Sequence, residues 1–306
     1  MKIASIDVGS NTVILLIAEV DQNLKTIKSV YDLQFIPRIS EGLNETKLIS
    51  EAKVFELLQI LLHYKEVAKN YNCTSVNAFG TNAFRIASNS QDVINRIKEE
   101  SGITIEVLSG ELEAEYSFIG ATYESFSSMN ALVIDIGGGS TEISLGKNCK
   151  IRNKISLPIG VVSLKEKFFN GHPENYNLTG AYKETKKYLK NIDFTGIDID
   201  IAIAIAGTST TLASIKKKLS EYDEQAVEGD ELEFSDINCF INELSKLKSE
   251  EILNKYQTVV CNREDLLLSG SILLYNIMSY FQLNKVIVST KGLRYGVIIK
   301  RYFYDF

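Results

Sequence analysis

Apolar residues run in short β-type blocks through the first part of the chain and then change period. Ile3 to Glu19 holds two such blocks on either side of the tight segment Asp7-Val8-Gly9-Ser10-Asn11-Thr12, which predicts strand, turn, strand. A third block, Lys25 to Ile36, extends the pair into an antiparallel meander. The period then lengthens, with Val54, Leu57, Leu58, Leu61, Tyr64, Ala68 and Tyr71 at helical spacing. A short strand near Ser75 to Phe79, a helix within Asp92 to Glu100 and a strand at Ile103 to Leu108 give the alternation of a partly parallel α/β sheet. Ser109 stands as N-cap of a helix running toward Phe126.

At Ala131 the opening pattern returns. Leu132-Val133-Ile134-Asp135-Ile136-Gly137-Gly138-Gly139-Ser140-Thr141 again places an aspartate near the end of an apolar strand, then glycine and hydroxyl residues, then a second strand with Ile143 and Leu145. Asp7 and Asp135 are 128 positions apart, nearly half the chain, which reads as an internal duplication. The expected organisation is two similar α/β domains, 1–123 and 124–306, flanking a cleft, with the final helix able to pack back on the first domain. The later pattern predicts a helix after Gly160, a helix at Gly180 to Lys190, a strand at Ile201 to Ala206 and a helix at Thr208 to Lys218. A helix at Asn262 to Phe281, a strand at Lys285 to Val288 and a helix at Gly292 to Tyr302 complete it. The polar stretch Glu221 to Asp236 reads as a surface loop.

Composition narrows the chemistry. With 306 residues, 45% of them hydrophobic, and a formal charge of -6, the chain is globular and offers no broad basic face for duplex nucleic acid or anionic lipid. Four cysteines without short pairing, and an acid at Asp7 that breaks any leader-like run, point to a reducing cytoplasm. Leu266 to Met278 carries Ser269, Ser271 and Asn276 and is too short to span a bilayer, so no membrane segment is expected. His63 and His172 are far apart, which disfavours a histidine zinc site or a serine–histidine triad. Carboxylates are the better candidates.

The two loops, Gly9-Ser10-Asn11-Thr12 and Gly137-Gly138-Gly139-Ser140-Thr141, combine small residues that let backbone amides approach a phosphate with hydroxyls that add donors. Asp7 and Asp135 beside them suit Mg²⁺, or another divalent cation, which takes oxygen ligands and keeps waters. A third loop, Ala206-Gly207-Thr208, opens a helix, where anion binding and plain capping are equally good readings. In Ser109-Gly110-Glu111-Leu112-Glu113-Ala114-Glu115 the glutamates lie off the apolar stripe Leu112, Tyr116, Ile119 and Tyr123, so the residues alone favour solvated first-turn acids. Arg85 alone reads as a surface ion pair. Glu142 shares a polar strand face with Ser144 and reads either as a surface acid or as a metal-facing one.

Seven ordered segments then resemble the exopolyphosphatase and guanosine pentaphosphate phosphohydrolase (Ppx/GppA) family, in the superfamily of actin, heat-shock chaperones and sugar kinases. They are Ile6 to Thr12, Gly80 to Ala87, Ser109 to Ala114, Asp135 to Glu142, Leu157 to Gly160, Ala206 to Thr208 and Gly292 to Gly296. The resemblance implies two ribonuclease-H-like domains with an interdomain active site, and Mg²⁺-assisted release of terminal phosphate from inorganic polyphosphate or pppGpp. It implies Glu113 as the general base, Glu142 as a second catalytic or metal-linked acid, and Asp7 and Asp135 as metal-organising carboxylates. Asn82 and Arg85 resemble phosphate contacts, joining the glycine and hydroxyl residues of the loops, and a homodimer is an open assembly. Ile14, Glu115 and Ser163 stand at positions that are often basic in the family, so grip on long polyphosphate would need Lys165, Lys167, Arg263, Lys291 or Arg294 to compensate. Without the further helical C-terminal domain of longer relatives, an extended polymer track is not expected. A guanosine-nucleotide-binding regulator with little turnover, and an ATP-dependent small-molecule kinase of the same superfamily, remain as alternatives.

Overall fold

A computed structural model describes residues 1–190, 192–194 and 198–304. Backbone contacts divide the chain into two compact units, one made of Met1–Gly120 with the C-terminal helix and the other of Ala121–Gly292.

The first unit opens with β1 (Lys2–Val8), β2 (Val13–Asp21) and β3 (Thr26–Phe35), continues through α1 (Leu43–Thr46) and α2 (Glu51–Asn70), and reaches β4 (Ser75–Gly80). Then come α3 (Asn82–Ile86), α4 (Ser90–Ser101), β5 (Ile105–Val107) and α5 (Gly110–Thr122). Its sheet runs β3-β2-β1-β4-β5, an antiparallel meander continued by two strands parallel to β1. β1 is buried along almost its whole length, as a strand covered on both faces must be, which is why Ile3 to Val8 reads as a continuous apolar run broken only by small or special residues. α2 buries Val54, Leu57, Leu61, Tyr64 and Ala68 in one cluster with Ile6, Val8, Val13, Leu15 and Ile17. Each buried valine, leucine or isoleucine here contributes about 1.5–3 kcal/mol relative to exposure. Tyr64 also pins the meander, its hydroxyl donating to Val13 O at 2.8 Å and Leu33 O at 2.9 Å.

The second unit contains β6 (Ala131–Ile136), β7 (Thr141–Lys147), β8 (Lys150–Leu157), α6 (Val161–Phe168), α7 (Leu178–Leu189), β9 (Ile201–Ile205) and α8 (Ala206–Lys216). It closes with α9 (Glu224–Val227), β10 (Glu231–Glu233), α10 (Phe234–Leu244), α11 (Ser249–Tyr256), α12 (Leu267–Tyr280) and β11 (Lys285–Val288); α13 (Leu293–Phe303) then returns to the first unit, against β1. The sheet order is β10-β11-β9-β6-β7-β8. From β8 to β11 it repeats the first sheet, with β10 added as an antiparallel edge. α12 is buried on nearly every side among α6, α7 and α10, which accounts for its all-round apolar sequence. Among the described residues no helix is long and apolar enough to cross a membrane.

The duplication extends to hydrogen-bond detail. Val8 pairs Val13 across the first turn and Ile136 pairs Thr141 across the second, and Asp7 faces Ile14 as Asp135 faces Glu142. Each meander carries a register shift, between Ile17 and Ala18 and again between Leu145 and Gly146, 128 residues on in both cases. The α/β class and the ribonuclease-H-like pairing expected from sequence are therefore present in both units.

The stretch Glu221 to Asp236 is not the surface loop its polarity suggests. It forms α9, β10 and the start of α10, because Val227 and Leu232 are wholly buried and anchor the intervening polar residues. α10 and α11 also lie where the pattern suggested no element, and the helix expected from Asn262 begins at Leu267.

Candidate functional site

In the first unit the chemistry gathers at the carboxyl ends of β1, β4 and β5, the edge where open α/β sheets place their ligands. A chain of hydrogen bonds defines that edge. Thr81 N donates to Val8 O at 3.3 Å, Leu108 N to Gly80 O at 2.9 Å, and Arg85 Nη1 to Leu108 O at 3.0 Å. The same Nη1 donates to Glu113 Oε2 at 2.6 Å. Glu113 sits in the first turn of α5, which Ser109 caps through a bond from Leu112 N to its Oγ at 3.2 Å.

This corrects two expectations drawn from residues alone. The Glu113 and Arg85 side chains are only 12% and 20% exposed, so neither is a solvated surface charge. Of the stripe Leu112, Tyr116, Ile119 and Tyr123, Ile119 is buried but the two tyrosines are half-buried, so it does not mark the buried face as a whole. Leu112 is exposed, whereas Glu113, Ala114, Ser117, Phe118 and Ala121 are buried, a face rotated from the one the large apolar residues mark.

The loop after β1 is closed by Gly9 N donating to Thr12 O at 2.9 Å. A Cβ at Gly9 would stand 3.0 Å from that same Thr12 oxygen, so the turn is tightest where glycine is found. Ser10 and Asn11 are buried, Thr12 half-buried. Asn82 is half-buried at the start of α3, on the segment that follows β4.

The second unit repeats the turn. Gly137 N donates to Ser140 O at 3.0 Å, and a Cβ at Gly137 would lie 3.1 Å from that oxygen. The segment returning from β8 then closes on the loop, with Val161 N donating to Gly137 O at 3.0 Å and Val162 N to Gly138 O at 2.8 Å. Thr141 Oγ1 donates to Ile159 O at 2.7 Å, fixing the same return. Asp135, Glu142 and Ser156 occupy one cross-strand row of β6, β7 and β8. Glu142 is 1% exposed, and Ser156 Oγ donates to its Oε1 at 2.6 Å. A carboxylate so buried is not the surface acid that one sequence reading made of it. Ser156 was not anticipated; the β7–β8 pairing that aligns it is visible only in the fold.

The loop after β9 enters α8 through Ala206, whose φ of 69° is unusual for a residue with a Cβ. Ser209 and Thr210 turn their hydroxyls back to Ala206 O at 3.1 and 3.2 Å, so they serve the helix start. Thr208 is buried against Gly270, while Gly207 lies under the guanidinium of Arg263, whose Cζ would be 2.8 Å from a Cβ placed there. Of the five cations considered as compensators, Lys165, Lys167, Lys291 and Arg294 pair with Asp265, Glu184, Glu124 and Asp32. Arg263 is the one held over a proposed anion loop. Glu115 pairs with Lys300 at 3.1 Å, and Ser163 caps α6 through Gly160 N at 3.0 Å.

The donors for a cation are all oxygens. Among the described residues no three His, Cys, Asp or Glu side chains form a metal cage. Mg²⁺ uses one or two carboxylates and completes its shell with water and substrate phosphate. Asp135 and Glu142, adjacent across β6 and β7, are the pair that fits.

The model of the Ppx/GppA phosphatase family matches residues 16–303. A bifunctional 3-dehydroquinate synthase/phosphatase of Fusobacterium nucleatum is 33% identical over 97% of this chain and 46% of its own. Exopolyphosphatase 1 of Mycobacterium tuberculosis is 27% identical over 70% of this chain and 64% of its own, and a guanosine-5'-triphosphate,3'-diphosphate pyrophosphatase of Vibrio parahaemolyticus is 28% identical over 76% and 50%. The chain thus spans roughly half to two thirds of these curated relatives. The crystal structure of the Aquifex aeolicus Ppx/GppA family member superposes with a TM-score of 0.83 at 31% identity, covering 98% of this chain and 97% of that one.

Proposed function

The chain belongs to the Ppx/GppA phosphatase family, and on that premise we propose that it is a hydrolase releasing terminal phosphate from inorganic polyphosphate or pppGpp. The observation that carries the reading is the pair of matched turns, each closed by the same glycine amide bond beside a strand-end aspartate. Such turns point consecutive amides and hydroxyls at an anion. Phosphoryl transfer asks for little else than positioning and charge stabilisation.

In this reading Gly9, Ser10, Asn11, Thr12 and Asn82 bind phosphate oxygens from the first unit. Gly137, Gly138, Gly139, Ser140, Thr141, Gly207 and Thr208 do so from the second. Asp7 in the first unit and Asp135 and Glu142 in the second are the carboxylates that would hold Mg²⁺, which would neutralise charge on the transferred group. Ser156 fixes the Glu142 carboxylate. Glu113 takes the proton from the attacking water, with Arg85 holding its carboxylate in place and contacting phosphate through its planar fork. Arg263 over Gly207 adds a cation to the third loop. Because Lys165, Lys167, Lys291 and Arg294 are already paired with carboxylates, short polyphosphates or pppGpp suit the chain better than long polymer.

Released phosphate should be measured with tripolyphosphate, long polyphosphate, pppGpp and ATP side by side, with and without Mg²⁺. Mg²⁺-dependent release from tripolyphosphate or pppGpp is expected. Tight guanosine-nucleotide binding without release would favour a regulator, and ADP formed only with a phosphate acceptor would favour a kinase.

A further inference from the structure

The segment that returns from β3 to the first-unit loop carries a residue which the signature motifs do not include. Ser40 N donates to Ser10 O at 2.9 Å and Arg38 N donates to Asn11 O at 3.0 Å, so residues 38–40 are laced to the turn by backbone bonds. Around this junction three side-chain oxygens are buried with no hydrogen-bond partner, namely Ser10 Oγ, Asn11 Oδ1 and Ser40 Oγ. Their residues are 4%, 8% and 5% exposed. Buried polar atoms nearly always have partners, because water that once bonded them has been removed at a cost. Three together in one junction are not a packing accident of a single side chain.

The second unit shows what the fold itself requires there. Its returning segment makes the equivalent bond to the equivalent loop carbonyl, Gly138 O, from Val162 N. The backbone lacing is thus kept with an apolar side chain at that place. A hydroxyl at Ser40 is an addition that the architecture does not need, and an unpartnered one burdens the fold.

We propose that Ser40 is a substrate contact of the first-unit anion site, its hydroxyl donating to a phosphate oxygen seated on the Ser10–Asn11 turn. The inference rests on the phosphate-loop reading above and extends it to a third strand-following segment. It makes two statements that a structural role would not make together. Ser40→Ala should weaken anion binding, since a hydrogen bond to a charged oxygen is lost. The same substitution should leave thermal stability unchanged or raised, since the buried hydroxyl makes no hydrogen bond to the protein.

The test is titration calorimetry of the full chain with tripolyphosphate in Mg²⁺ buffer, paired with thermal unfolding in the absence of any phosphate. Roughly a tenfold or larger loss of affinity in Ser40→Ala is expected, with Tm equal to or above that of the unsubstituted protein. Affinity within twofold of the unsubstituted protein overturns the inference, and so does a loss of affinity that comes with a lowered Tm. If the unsubstituted protein binds tripolyphosphate and releases phosphate while Ser40→Ala matches it, only the Ser40 inference fails. If the unsubstituted protein binds no tripolyphosphate, the phosphate-loop reading fails and takes Ser40 with it.

Discussion

Replacing Glu113 by glutamine separates its charge from its shape. The side chain keeps an acceptor oxygen for Arg85 Nη1, now 2.6 Å from Oε2, and keeps its place on the buried face of α5. What it loses is the ability to accept a proton. General-base removal lowers rates by about 10²- to 10⁴-fold, which is roughly 3–5 kcal/mol of barrier at about 1.36 kcal/mol per decade. Stability should change much less. The two side chains are 20% and 12% exposed, and the neutral amide oxygen still accepts from the guanidinium, so what is lost is the charge assistance of one hydrogen bond, a cost of about 1 kcal/mol. Glu113→Ala is harsher, at about 1–3 kcal/mol, because it leaves a largely buried guanidinium short of a partner. The assay is single-turnover phosphate release from tripolyphosphate, with affinity measured independently. Glu113→Gln should retain binding within a few fold while release collapses. A glutamine variant that turns over within threefold of the unsubstituted enzyme would remove Glu113 as the base, whatever its burial.

Gly160→Ala should cripple the second loop, because a Cβ there would overlap the Gly138 carbonyl and lie 2.6 Å from Gly137 O, both backbone atoms that cannot step aside. A shift of about 1 Å in the loop predicts on the order of a 10²-fold fall in kcat/KM, read by steady-state kinetics. Ser156→Ala removes the donor to Glu142 Oε1 and should raise the Mg²⁺ concentration for half-maximal activity about tenfold, with the rate at saturating Mg²⁺ nearly restored. Tyr64→Phe should cost about 1–3 kcal/mol at neutral pH by leaving Val13 O and Leu33 O without their donor. Burial raises the Tyr64 phenol well above its ordinary 10.0, so the folded state holds this proton more tightly than the unfolded chain. Its stabilisation is therefore complete below pH 10 and fades above it, and the denaturant midpoints of the two proteins should converge as pH rises past that value.

Local pattern was a good guide wherever a single strand or turn decided the outcome. The two Asp–Gly–hydroxyl hairpins are legible because strand alternation, a glycine turn and a second strand all fall within about ten residues. It failed where burial is set by distant partners. Nothing near Glu113 in the sequence marks it as buried, since the residues that bring Arg85 to it lie 28 positions away across β4 and β5. Ser156 becomes relevant to Glu142 only through strand register, fourteen positions on. α10 had a signal that its polar setting hid, with Ile237, Ile241 and Leu244 at helical spacing and Asp236 accepting from Glu233 N at 2.9 Å as a first-turn cap.

The duplication also explains why the two loops need not do the same work. Backbone geometry is copied closely, down to the glycine amide bond and the register shift, yet the side chains that face the strand-end aspartates have diverged. In the cross-strand row of the first unit Asp7 meets Ile14 and then Gln34, whereas in the second Asp135 meets Glu142 and then Ser156. Two carboxylates facing each other across a strand pair offer a divalent cation more charge and more oxygen donors than a carboxylate that faces isoleucine there. The first unit instead holds the buried Arg85–Glu113 pair and the hydroxyl-lined turn, groups whose chemistry suits an anion and a proton. On the proposed function, a shared backbone frame with divergent partners would place the cation chiefly on Asp135 and Glu142, and proton transfer on Glu113. On this division Asp135→Asn should raise the Mg²⁺ requirement more than Asp7→Asn does, and an equal effect in metal titrations of the two variants would refute it.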